Sequence, residues 1–184
     1  MNNDTEAVKT FEESNGNYDN WNNVLYIGYH PNTFGCWGGH WFIDHINSKR
    51  NSPCNISILE IYEPYYNHLK NSQVGKDRGV VPILGDALTH LEEIEKNKYD
   101  LVIWWHGPEH VEMDYLNKVF DLLEEKVKDT IMGGPLGEDP YQDPSSSDKH
   151  YILLDHELFQ KRNYTTLESP RHTGIPNISA WRFN

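Results

Sequence analysis

Val24-Leu25-Tyr26-Ile27-Gly28-Tyr29-His30-Pro31-Asn32-Thr33 is the stretch that decides the fold of this chain. Four β-favouring residues run into a glycine. Pro31 then lacks the N–H that a strand ladder needs, and it biases His30 away from helix. A buried strand that stops at a glycine lets the backbone come close to a ligand at the carboxyl edge of an α/β sheet. Three more junctions of this kind follow in order, and together they give the motif its weight.

Working outward, Asn55–Glu63, Val80–Leu84, Asp100–Trp105 and Thr130–Met132 read as further strands. They end at Glu63-Pro64, Gly85-Asp86-Ala87, His106-Gly107-Pro108 and Gly133-Gly134-Pro135. Between them lie helical patterns: one within residues 34–46, blurred at its start by three glycines, and one from Pro64 to about Lys70. Another, from Thr89 to about Lys96, has Thr89 and Glu92 as its capping box. The clearest helix carries Met113, Leu116, Phe120, Leu123 and Val127 on one face. A helix near His156–Arg162 and strands at Tyr164–Glu168 and Ile178–Phe183 complete the chain. This alternation predicts a Rossmann-like, doubly wound α/β fold: a mostly parallel seven-stranded sheet, an antiparallel terminal strand, and helices on both faces.

At 184 residues the chain fits one domain, with residues 1–20 a polar leader, either a short packed helix or disordered, and residues 21–184 the α/β unit. Its net charge of −12 disfavours a nucleic-acid partner. No apolar run is long enough for a membrane span, and residues 1–20 lack a signal-peptide core, so the expected location is cytoplasmic. Cys36 and Cys54 show neither metal-ligand spacing nor a disulfide framework.

In an open α/β sheet the strand-end loops hold the ligand, and each loop here offers part of a nucleoside site. Glu63, read as the acid ending the second strand, suits the two hydroxyls of a ribose, with Glu60 as the alternate. Asp86 and the backbone at Ala87 suit an adenine edge. The dinucleotide fingerprint fits poorly, because Gly28-Tyr29-His30-Pro31-Asn32-Thr33 lacks two of its three glycines.

Read in succession, LYIGYHPN (25–32), LEIYEP (59–64), LGDAL (84–88) and YDLVIWWHGPEH (99–110) resemble the ordered motifs of class I S-adenosylmethionine-dependent methyltransferases. The resemblance spans nearly the whole chain from residue 23 to 183. It implies S-adenosylmethionine as cofactor. Gly28, Tyr29 and His30 would lie at its methionine part, Glu63 at its ribose, and Asp86 with Ala87 at its adenine. The family commonly has an acid where Tyr26 stands, and glycines where His30 and Asn32 stand. A non-catalytic domain with an eroded site is therefore the alternative from another class.

His106, Glu109 and His110 follow the fourth strand and are the candidate catalytic group, His106 as the base for an acceptor that must lose a proton. The same three residues, with His150 or His156 from the late loop, also raise a metal-dependent hydrolase. Their spacing crosses a Gly-Pro break and matches no helix-borne zinc motif, so no metal site is expected. The long segment 134–149 is read as covering the acceptor side, with Asp139 and Tyr141 as contacts. The expected acceptor is a small molecule, and a homodimer is one way for so small a domain to close over it.

Overall fold

Alternation along the central strands sends their apolar residues to both faces of one sheet, as strands buried on both sides require. The computed structural model describes residues 18–31, 40–137, 149–169 and 176–183. In chain order its first half comprises β1 (Asn23–Ile27), α1 (His40–Ser48), β2 (Asn55–Glu60), α2 (Glu63–Asn71), α3 (Gln73–Asp77), β3 (Val81–Leu84) and α4 (Ala87–Glu93). The second half comprises β4 (Leu101–Trp105), α5 (Met113–Lys126), β5 (Asp129–Pro135), α6 (His156–Gln160), β6 (Thr165–Ser169) and β7 (Asn177–Arg182).

The seven strands lie in the order β3-β2-β1-β4-β5-β7-β6. Strands β1 to β5 pair in parallel, and β7 runs antiparallel to both of its neighbours. The order reverses between β1 and β4, which is where doubly wound sheets bind ligands. The expected Rossmann-like architecture is the one observed.

One face carries Leu25, Ile27, Leu59, Val102 and Trp104, packed on Leu91 of α4 and on Leu116, Val119, Phe120 and Leu123 of α5. The other carries Val24, Tyr26, Ile58, Ile103 and Trp105, packed on Phe42, Ile43 and Ile46 of α1. Each fully buried Leu, Val or Phe contributes about 1.5–3 kcal/mol. Trp104 and Trp105 thus serve the two cores, as alternation predicts.

Three differences from the sequence reading bear on the strand exits. Strand β2 stops at Glu60 rather than Glu63, because the chain turns there: the Glu60 carboxylate accepts the N–H of Tyr62 at 2.7 Å. Glu63 therefore opens α2, with Pro64 in the first turn. Helix α4 starts at Ala87 and is capped by Asp86 instead of Thr89, and it ends at Glu93. Strand β5 does not break at Gly133-Gly134. Both glycines pair with β7, opposite Ser179 and Ile178, and the strand runs on to Pro135.

Of the polar leader only the 3-10 turn Tyr18–Asn20 is described, with Tyr18 buried. Asp139 and Tyr141 lie outside the described residues, as do Asn32, Thr33 and Cys36. Cys54 is a buried free thiol, and burial pushes its pKa up. Among the described residues no helix is long and apolar enough to cross a membrane.

Candidate functional site

Parallel register brings the strand exits side by side. Ile27 lies opposite Leu59 and Trp104, and Glu60 lies opposite Leu84, so the ends of β1, β2, β3 and β4 share one edge. At the first exit Gly28 has φ +91°, a conformation that L side chains rarely adopt, and its N–H donates to the Leu59 carbonyl at 2.8 Å. A Cβ built there would meet nothing within 4 Å among the described residues.

Glu60 locks the first two exits together. One carboxylate oxygen accepts the N–H of Tyr29 at 2.7 Å and the other accepts that of Tyr62 at 2.7 Å. The residue is 6% exposed. Burial pushes its carboxyl above the usual range, and the N–H groups of Tyr62, Tyr29 and Ile61 partly offset that. Glu63, by contrast, is exposed on the first turn of α2. An aromatic group stands between the β1 exit and α2: the Tyr29 hydroxyl lies 2.9 Å from His68 Nδ1, and His30 meets the Tyr65 ring edge-on at 5.0 Å.

At the third exit Asp86 accepts the N–H of Thr89 at 3.0 Å through one oxygen and the Tyr115 hydroxyl at 2.7 Å through the other. That hydroxyl in turn accepts the Leu88 N–H at 2.9 Å. Burial opposes ionisation of Asp86, but these donors outweigh it and hold the carboxyl below its ordinary value. Tyr115 is shifted upward by burial and by the adjacent carboxylate. Ala87 is buried behind the exit, whereas Ile61, Tyr62 and Leu84 stay exposed along this edge at 68%, 55% and 46%.

The fourth exit is the most constrained. His106 has φ +54°, the left-handed region that a non-glycine residue seldom occupies, and its N–H donates to the Gly133 carbonyl at 2.7 Å. Gly107 follows, where a Cβ would fall 1.8 Å from the Trp104 indole nitrogen. The chain then makes a 3-10 turn over Pro108–His110 and buries Glu109 to 1% exposure. His106 Nδ1 lies 3.3 Å and His110 Nε2 3.8 Å from Glu109 Oε1. Burial would raise the Glu109 carboxyl, but the two imidazoles and a backbone N–H hold it below its usual value.

One feature of this exit escapes the sequence reading. The carboxylate of Glu109 rests against β5, and a Cβ on Gly134 would lie 2.8 and 2.9 Å from its oxygens. The paired glycines at 133 and 134 were the available signal. Of the two late histidines raised from the sequence, His150 joins the group: Glu109, His110 and His150 each offer a ligand atom, all within 4.8 Å of one another. His156, the other late histidine considered, instead contacts Thr166 Oγ1 at 2.8 Å and Glu168 Oε1 at 2.9 Å.

No protein-family model matches the chain, and no curated protein matches its sequence. Solved structures do match in fold. The bifunctional kinase–methyltransferase WbdD aligns with a TM-score of 0.61 at 17% identity over 97% of this chain. This chain spans only 38% of WbdD. The methyltransferase domain of a bacterial Hen1, CtHen1, aligns at 0.59 and 13% identity, covering 97% of this chain and 96% of that one. The N-terminal domain of EvdMO1, solved with S-adenosylhomocysteine and D-fucose, aligns at 0.60 and 13% identity over 98% of this chain and 82% of that one. The chain has the class I methyltransferase fold.

Proposed function

We propose that this chain is an S-adenosylmethionine-dependent methyltransferase acting on a small-molecule acceptor. The observation that carries the reading is the shared strand edge: Gly28 in a left-handed turn, with Glu60 and Asp86 at the two neighbouring exits. These residues fit the cofactor. The space beside Gly28, clear among the described residues, would take the methionine part next to Tyr29 and His30. The exposed Ile61, Tyr62 and Leu84 give an apolar ring a surface to lie on.

The assignment of the ribose passes from Glu63 to Glu60, since Glu60 is the acid at the strand end and its carboxylate has about four lone-pair sites, more than the N–H groups it accepts. Asp86 and the backbone at Ala87 remain the adenine contacts. Bound S-adenosylmethionine supplies an electrophilic methyl group on a sulfonium. The protein's own task is then to align an acceptor and take its proton. His106 is the proposed base at the β4 exit, with buried Glu109 facing its Nδ1 to stabilise the imidazolium. His110 lines the same exit. The net charge of −12 favours a small acceptor over a nucleic acid.

One observation favours a second reading, a non-catalytic domain with an eroded site. Tyr26, where the family carries an acid, is 1% exposed and packs beside Phe42 with ring centroids 6.2 Å apart. Titration with S-adenosylmethionine and S-adenosylhomocysteine decides between them. Binding of both ligands supports the enzyme, and binding of neither by the folded protein rejects it.

A further inference from the structure

We propose that Glu109, His110 and His150 form a binding site for one divalent metal ion of the zinc class. The first reason is the state of Glu109. It is 1% exposed, and what faces its carboxylate is the pair of imidazoles, His106 Nδ1 at 3.3 Å and His110 Nε2 at 3.8 Å from Oε1, with no closer hydrogen bond to either oxygen among the described residues. Burying a carboxylate with so little hydrogen bonding is expensive, and a bound cation is one of the few things that compensates it.

The second reason is how the two histidines are presented. His110 Nδ1 lies 3.3 Å from the Lys149 carbonyl, which can only accept, so the proton belongs on Nδ1 and the Nε2 lone pair is left for a ligand. That Nε2 is 3.8 Å from Glu109 Oε1. Two ligand atoms, each about 2.1 Å from one ion, stand about 3 to 4 Å apart, so an ion fits between them with little movement. His150 comes from far along the chain but is pinned to the same residue: the N–H of Tyr151 donates to the Glu109 carbonyl at 2.8 Å. Its ring meets that of His110 edge-on at 4.9 Å.

Two imidazoles and one carboxylate suit zinc, cobalt, manganese or ferrous iron better than magnesium or calcium, which prefer all-oxygen sets. Three protein ligands also leave positions for exchangeable oxygen, the pattern of sites that bind a substrate. Glu109 is walled in by Gly134, whereas His110 is a third exposed, so the free positions open on the His110 side. An acceptor oxygen can enter there.

The test is a titration of chelator-treated full-length protein with Co2+, followed by its visible ligand-field absorption, with Zn2+ as competitor and no nucleoside ligand present. The expected result is one equivalent of Co2+, displaced by Zn2+. His110→Ala and His150→Ala should each weaken it by more than the roughly 10- to 100-fold that losing an outer-shell partner costs. His156→Ala should bind as the native chain does. Circular dichroism verifies that each variant is folded, and His150→Ala decides if His110→Ala is not. Absence of Co2+ and Zn2+ binding by the folded native protein would overturn the proposal, as would one equivalent bound undiminished by His150→Ala. Because no nucleoside is present, failure here leaves the methyltransferase reading untouched.

Discussion

The carboxylate of Glu60 accepts the backbone N–H of Tyr29 at 2.7 Å, joining the end of β2 to the turn that leaves β1. Its other oxygen accepts from Tyr62. Glu60→Ala strands both donors, so a loss of about 1–3 kcal/mol is expected, the penalty for unsatisfied buried polar groups. Glu63 is exposed, and Glu63→Ala should stay within about 0.5 kcal/mol of native. Urea unfolding of the two variants measures both, and equal effects would contradict the separation of roles.

Gly28 holds φ +91° with nothing among the described residues within 4 Å of a Cβ position. Gly28→Ala therefore fails through backbone strain rather than overlap, at about 1–3 kcal/mol. For a chain of this size each kcal/mol lowers Tm by about 2–4 °C. Calorimetric melting should show that loss, with cofactor binding weakened alongside it. An unchanged Tm would mean that the turn tolerates a side chain.

Gly133 and Gly134 make room for two large neighbours. A Cβ at 133 would lie 2.3 Å from the Trp105 ring and 2.4 Å from the Ile178 carbonyl, and one at 134 would press on Glu109. Both alanine variants should destabilise by at least the 1–3 kcal/mol typical of overpacking. Gly133→Ala should be the worse, because it meets backbone. Thermal unfolding of the pair checks the order.

Much of this architecture is legible from the sequence because it is local or periodic. Val24 and Tyr26 against Leu25 and Ile27 foretell a sheet buried on both faces, and the α5 repeat foretells one buried stripe. What is not legible depends on contacts distant in sequence. Gly133 and Gly134 read as a break because glycine is usually punctuation, yet Trp105 and Glu109 are what require them there. Thr89 reads as a cap, but Asp86 takes that place and also accepts from Tyr115, 29 residues away. Which of His150 and His156 comes to Glu109 rests on the backbone bond from Tyr151, which no spacing rule anticipates.

Asp100 should govern the acid limb of stability. It accepts the N–H groups of Asn22 and Asn23 at 3.0 Å each and the Lys128 ammonium at 2.7 Å. Burial works to raise its pKa, but Lys128 and these N–H groups outweigh that and hold it below the ordinary value. A depressed folded pKa means that its stabilisation is complete above the unfolded value, near pH 4, and is lost as pH falls through the folded one. Urea midpoints measured downward from pH 7 should show a flatter acid limb for Asp100→Asn. Parallel limbs would assign acid sensitivity to other carboxylates.

The most direct measurement is calorimetric titration of the native chain with S-adenosylmethionine and S-adenosylhomocysteine, repeated on Glu60→Ala, Glu63→Ala and Asp86→Ala. Micromolar binding of both ligands is expected, weakened at least about tenfold, or about 1.4 kcal/mol, by Glu60→Ala and by Asp86→Ala. Glu63→Ala should change it less. No heat with either ligand, from protein that circular dichroism shows to be folded, would contradict the methyltransferase reading and leave the fold without its usual cofactor.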